Sequence, residues 1–400
     1  MSADPPQTGL QLAAATATAL DGGELARGAA LADEAAATFL AEQGEPNFDA
    51  PNMLRLRADA LLTLGDHQAA AQTLDRADAF AAKLPAGDPF DRLRVQLGRL
   101  RGVALLDAGD RPAARAVLET TLTLCEEALG PGDADAGAVH NMLGIVGKFM
   151  GTFDDAADHY ARALEIFQDH GGSPGVIATL HHNLGGLAHS RGDLATAERE
   201  TRKARELHAA SHGATHPDTA ADRGQLAAIL SELGRHEEAE RELRRTADDF
   251  AAAYGPDHVE VAIAHTALGA ALHRVGRLDE ADGAYRQGLA GRERTQGEAH
   301  PMLAPTLLNL SALCEQRGNP SEARAYAQRA VDVLDGAVTA DHPHRLAAQQ
   351  RLAELDAGGS GGQTAEHSSS SATRNDEPQP QAATTLGLLT WKPAPCRDST

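Results

Sequence analysis

Apolar residues return at helical spacing in two runs between residues 216 and 257, QLAAILSEL (225–233) and AERELRRTADDF (239–250), with charged positions between them. This period predicts two amphipathic helices joined by a short turn at Gly234. The same pattern recurs along the chain. Turn glycines fall at Gly23, Gly65, Gly109, Gly151, Gly192, Gly234, Gly276 and Gly318, in steps of 41 to 44 residues. Five residues after each comes a small residue: Gly28, then Ala70, Ala114, Ala156, Ala197, Ala239, Ala281 and Ala323. Seven residues before each comes another: Thr16, Ala58, Gly102, Gly144, Gly185, Ala227, Gly269 and Ser311.

A fixed period of this length means stacked supersecondary units, each burying its apolar face against its neighbours. Small side chains on both sides of the turn let the two helices of a unit approach closely, and the glycine accepts a positive φ without Cβ strain. The expected fold is all-α: a right-handed α-solenoid of about eight helix-turn-helix repeats over residues 9–355. PHRLAAQQRLAELDAG (343–358) reads as a closing helix, with Leu352 and Ala353 in register and Gln349, Gln350, Arg351 and Glu354 facing water. A disordered lead is expected at 1–8, and a disordered Gly/Ser/Pro-rich tail at 356–400. Within the tail, LGLLTWKPAP (386–395) gathers three leucines and the only tryptophan, as a sticky end or a short docking motif.

The unit resembles the tetratricopeptide repeat. The links THPDTA (215–220), GPDHVEVA (255–262), AHPMLA (299–304) and DHPHRLA (341–347) narrow the likeness to the 42-residue repeat of the kinesin-light-chain type. In GATHPDTA, Gly213 ends one helix, Pro217 suits the first position of the next, and Asp218 sets negative charge at its positive end. EPNFDAP (45–51) breaks the first repeat from the second, and Arg57 and Arg101 stand where later repeats carry leucine.

The resemblance implies that the first helix of each repeat lines a groove for an extended peptide, held partly by asparagine side chains. An amide offers a peptide unit both a donor and an acceptor. Asn183 and Asn309 lie nine residues before their turn glycines and match that asparagine position, and Gln225 can stand in for it. One position earlier lie Arg55, Arg99, Asn141 and His182, with His189 nearer the turn. The plainer alternative is that these residues cap or solvate helices. Asp59 and Leu100 occupy places that a carboxylate clamp would need, so no clamp is expected.

Composition narrows the chemistry. Hydrophobic residues make up 42% and aromatics only 3%, so the interior is built from Ala and Leu. With 57 acidic and 36 basic residues the formal charge is −21, which argues against nucleic-acid and anionic-membrane partners. No segment has the length and apolarity of a membrane span, and MSADPPQTGLQL lacks a basic leader region, so a cytoplasmic location is expected. Cys125, Cys314 and Cys396 are widely separated and imply neither disulfides nor a zinc knuckle.

Catalytic motifs with nucleophile, phosphate-loop or zinc-hydrolase spacing do not occur, so no enzyme and no cofactor is expected. His140, His181 and His265 recur eleven residues before a turn glycine, and His189 and His273 three before one. Equivalent rings on neighbouring helices lie about 8–10 Å apart, too far to share an ion. His208 and His212 share a helix face, but with only His216 across the turn as a third ligand no metal is expected. The function that follows is a non-enzymatic protein- or peptide-binding scaffold. The alternative is a sensor or effector module of a bacterial signalling or transcriptional regulator acting through a separate partner. The sequence leaves oligomeric state and the partner's identity open.

Overall fold

A computed structural model describes residues 7–337 and 342–359. The lead up to residue 6 and the tail from 360, including the 386–395 segment, lie outside the described residues. Among the described residues there are seventeen α-helices and one short 3₁₀ turn at Pro301–Leu303. The chain divides into two compact units at Arg191/Gly192.

The first unit holds Gly9–Asp21 (α1), Leu25–Gln43 (α2), Asp49–Thr63 (α3), His67–Ala81 (α4), Phe90–Asp107 (α5), Arg111–Ala128 (α6), Ala134–Met150 (α7), Phe153–Asp169 (α8) and Pro174–Ser190 (α9). The second holds Leu194–His212 (α10), Pro217–Glu232 (α11), His236–Tyr254 (α12), Val259–Arg274 (α13), Leu278–Gln296 (α14), Ala304–Gln316 (α15), Pro320–Leu334 (α16) and Pro343–Gly359 (α17).

Every turn glycine expected from the period adopts a positive φ, between 76° and 82°. That region strains any residue with a Cβ, which accounts for the glycine at each turn. Directly after three of them, Asp66, Asp110 and Asp193 cap the next helix by accepting the backbone N–H three residues on. The alanines five residues past the turn, Ala70 through Ala323, are fully buried, as are Thr16, Ala58, Ala227 and Ser311 seven before it. Where that position is glycine the approach is closest: a Cβ on Gly102 would meet Leu118 at 2.6 Å, and one on Gly269 would meet Tyr285 at 2.6 Å.

In each unit the first helices of successive pairs touch one another, α3–α5–α7–α9 in one and α11–α13–α15–α17 in the other. Within each unit they form a layer, against which that unit's second helices pack. Leu54, Leu74, Leu93 and Leu97 are at the centre of one core, and Leu226, Leu268, Leu307 and Leu310 at the centre of another.

Two local expectations are corrected. Pro51 does not precede α3 but sits in its first turn, where a missing N–H leaves no carbonyl unpaired. In α17 Arg351 turns inward, donating to the Ser311 hydroxyl at 3.2 Å and pairing with Glu315 at 2.7 Å, while Ala353 is exposed. The two arginines in place of leucine reach across to carboxylates on the preceding second helix. Arg57 pairs with Asp33, and Arg101 with Asp78 at 2.7 Å.

Candidate partner-binding face

The first helices of each unit carry the residues singled out by the repeat register, and the two units carry different sets. In the first unit, Asn183 on α9 donates its amide to the Asn141 side-chain oxygen on α7 at 2.9 Å. Asn183 is half-buried and Asn141 buried, so the pair forms a polar bridge between successive first helices. His182 and His189 lie half-buried on the same helix as Asn183. On α3, Arg55 donates to Asn52 at 3.1 Å. Asp59, one turn further on, has its carboxyl pushed up by burial, against the opposing pull of Arg55 and of Arg99 on α5. The two arginines therefore flank a carboxylate, and the positive charge expected from them is partly offset.

In the second unit, Asn309 on α15 is half-buried and makes no side-chain hydrogen bond among the described residues. Gln225 on α11 is buried and donates to the Thr201 hydroxyl at 2.9 Å, so that donor is used inside the fold. His273 Nε2 lies 2.7 Å from the Gln316 side-chain oxygen, tying α13 to α15. An open recess of about 340 Å³ lies between α13 and α14, lined in part by Val261, His265, Arg286 and Arg294.

The strongly perturbed groups sit in structural contacts. Nδ1 of His140 lies 2.9 Å from Nδ1 of His159 on α8, and His140 is held down at about 4 by burial and by the neighbouring charges of His159 and Arg162. Glu260 is pushed up to about 7 by burial beside Arg292. Burial pushes the Cys125 thiol up to about 12 and Cys314 to about 11, which suppresses the nucleophilic thiolate. No nucleophile–base pair is assembled from these groups.

The repeat register did not single out the histidines of the links as caps. His216, His258 and His300 each stand at a helix N-cap position, with Nδ1 accepting the backbone N–H two residues on. The legible signal was a histidine directly before the helix start, followed by proline at His216 and His300 and by Val259 at His258. His208 and His212 share a helix face as expected, their rings stacked at 6.0 Å; His208 also reaches inward, its Nδ1 2.7 Å from Asp222, and it is Asp218 that lies with His212 and His216.

A model of the tetratricopeptide repeat matches residues 92–169, 176–250, 223–294 and 261–336, well over half the chain. The chain belongs to the tetratricopeptide-repeat family. Among solved structures this tetratricopeptide-repeat protein is similar to a Rap protein complexed with Competence and Sporulation Factor, at 14% identity and a TM-score of 0.57, over 88% of this chain and 98% of that one. It is also similar to the APC/C hetero-tetramer Cut9–Hcn1, at 13% identity and a TM-score of 0.54, over 83% of this chain and 52% of that one. A Podosopora anserina putative kinesin light chain with nearly identical TPR-like repeats matches at 19% identity and a TM-score of 0.43, over 52% of this chain and 97% of that one. No curated protein matches the chain at a significant level. No helix among the described residues is long and apolar enough to cross a membrane.

Proposed function

We propose that this tetratricopeptide-repeat protein is a non-enzymatic scaffold that takes an extended peptide or protein segment along the first helices of its repeats. The observation that carries the reading is the Asn183–Asn141 bridge between α9 and α7. It uses one amide hydrogen and one oxygen, and so leaves donors and an acceptor on the pair for a peptide unit. Asn309, which makes no side-chain hydrogen bond among the described residues, offers the same chemistry in the second unit. Recognition of this kind spreads modest affinity over several contacts. The formal charge of −21 favours a basic or neutral segment over nucleic acid or an anionic membrane.

The test is to recover a partner by affinity capture with the full chain, then titrate it against Asn183→Ala and Asn309→Ala. Weakened binding with a preserved fold supports the scaffold; unchanged binding by both variants contradicts it. A second reading is a sensor or effector module acting through a separate protein, and the likeness in fold to a Rap protein complexed with Competence and Sporulation Factor favours it. A captured kinase or transcription factor whose activity changes on binding supports that reading, whereas chaperones or motor-type cargo support the first.

A further inference from the structure

The link between α10 and α11 gathers side chains that the partner-binding face does not use. α10 ends at His212, Gly213 turns the chain at a φ of 102°, and α11 starts behind His216. This brings His212 and His216 together, ring centroids 4.6 Å apart. Asp218, in the first turn of α11, faces both: its carboxylate lies 3.8 Å from Nδ1 of His212 and 3.5 Å from Nδ1 of His216. One ligand atom from each of the three lies within 4.8 Å of the others.

The equivalent positions in the next two links differ. There they read Tyr254, His258 and Glu260, then Gln296, His300 and Met302. The capping histidine is common to all three, and the second imidazole occurs in the first alone. That first imidazole is backed from inside. His212 stacks on His208 at 6.0 Å and 25°, and His208 is fixed by its contact with the fully buried Asp222.

We propose that His212, His216 and Asp218 bind one divalent cation of the zinc class. Two imidazoles and a carboxylate suit zinc and its neighbours, whereas magnesium and calcium prefer oxygen ligands throughout. A tetrahedral ion with bonds of about 2.0–2.1 Å holds its ligand atoms about 3.3–3.4 Å apart. The observed 3.5 and 3.8 Å separations reach that range by small side-chain rotations. At His216 the ion takes the Nδ1 lone pair that now accepts the Asp218 N–H at 3.2 Å, so one cap bond is exchanged for a metal bond. Three protein ligands leave the fourth position to water or to a side chain of a docked segment. The ion clips the end of α10 to the start of α11.

The full chain is titrated with Zn²⁺ at pH 7.5 by calorimetry and by equilibrium dialysis, beside His212→Ala and Asp218→Asn, with melting curves recorded with and without the ion. The expected result is one zinc per chain, binding weakened at least about tenfold in each variant. Zinc is also expected to raise the melting temperature of the wild-type chain alone. Circular dichroism confirms that the variants fold. No stoichiometric uptake, or uptake unchanged in both variants, overturns the assignment.

Discussion

Gly144 on α7 and Tyr160 on α8 are packed so closely that a Cβ on the glycine would lie 2.5 Å from the tyrosine ring. The tyrosine is completely buried. These positions stand seven before and nine after the turn at Gly151, and the same two places hold Gly102 and Leu118, Gly269 and Tyr285, Ala58 and Leu74, and Ala227 and Leu243 in other repeats. Tyrosine appears opposite glycine alone, leucine opposite glycine or alanine, and Thr201 opposite Gly185, so the largest side chain on the second helix goes with the smallest on the first.

Gly144→Ala should therefore destabilise the protein by about 1–3 kcal/mol through overpacking. Tyr160→Leu alone loses ring contacts. The double variant recreates the alanine–leucine pair of two other repeats and should be more stable than the sum of the single effects indicates. Urea unfolding of the four proteins measures the coupling; strict additivity would show that the positions do not share one space.

The His140–His159 contact makes stability depend on pH. An unfolded histidine titrates near 6.5, and the folded His140 is held at about 4 by burial and by the charges of His159 and Arg162. His159 is also lowered, chiefly by burial and against the opposing pull of Asp155. Glu126, 3.9 Å from Nε2 of His140, and Asp155, 3.7 Å from Nε2 of His159, face the pair without reversing the effect. Because the fold disfavours the proton, this stabilisation is complete above pH ~6.5 and lost as pH falls towards 4, about 3 kcal/mol at full loss for His140. Urea midpoints should drop between pH 7 and pH 5, and the drop should shrink in His140→Gln.

Buried charge in the second unit gives a sharper effect. Arg223 on α11 pairs with Asp249 on α12, both almost fully buried, with Glu242 3.6 Å from the guanidinium. Asp249→Ala leaves that guanidinium short of its closest counter-charge and should cost about 3–5 kcal/mol. Arg223→Met with Asp249→Leu should recover most of the loss. Thermal unfolding of the single and double variants checks both statements.

Much of the fold could be read from the sequence because its period is written in residues that have little alternative. A glycine at each positive-φ turn and an alanine at each helix crossing, such as Gly234 and Ala239, record backbone geometry directly. Pair contacts between repeats are written less plainly. Gln225 shares its register with Asn183 and Asn309, yet it turns inward because Thr201 offers an acceptor. Arg351 is polar and expected outside, but Ser311 and Glu315 on the preceding first helix draw it in. His212 and His216 could be read as facing each other across the link, but that Asp218 reaches both depends on how Gly213 turns the chain, which spacing does not state.

Partner binding by Asn309→Ala, compared with the wild-type chain and with Arg199→Ala on the exposed surface of α10, is the most direct test of the scaffold reading. Asn309 makes no internal side-chain hydrogen bond among the described residues, so its loss should leave the melting temperature within about 1 °C, the effect expected of a surface change without a lost contact. Affinity for the captured partner should fall about fivefold or more, as loss of a hydrogen bond of about 1 kcal/mol implies, and Arg199→Ala should bind as wild type. Undiminished affinity in Asn309→Ala, or a loss confined to Arg199→Ala, would place the partner elsewhere and contradict recognition along the first helices.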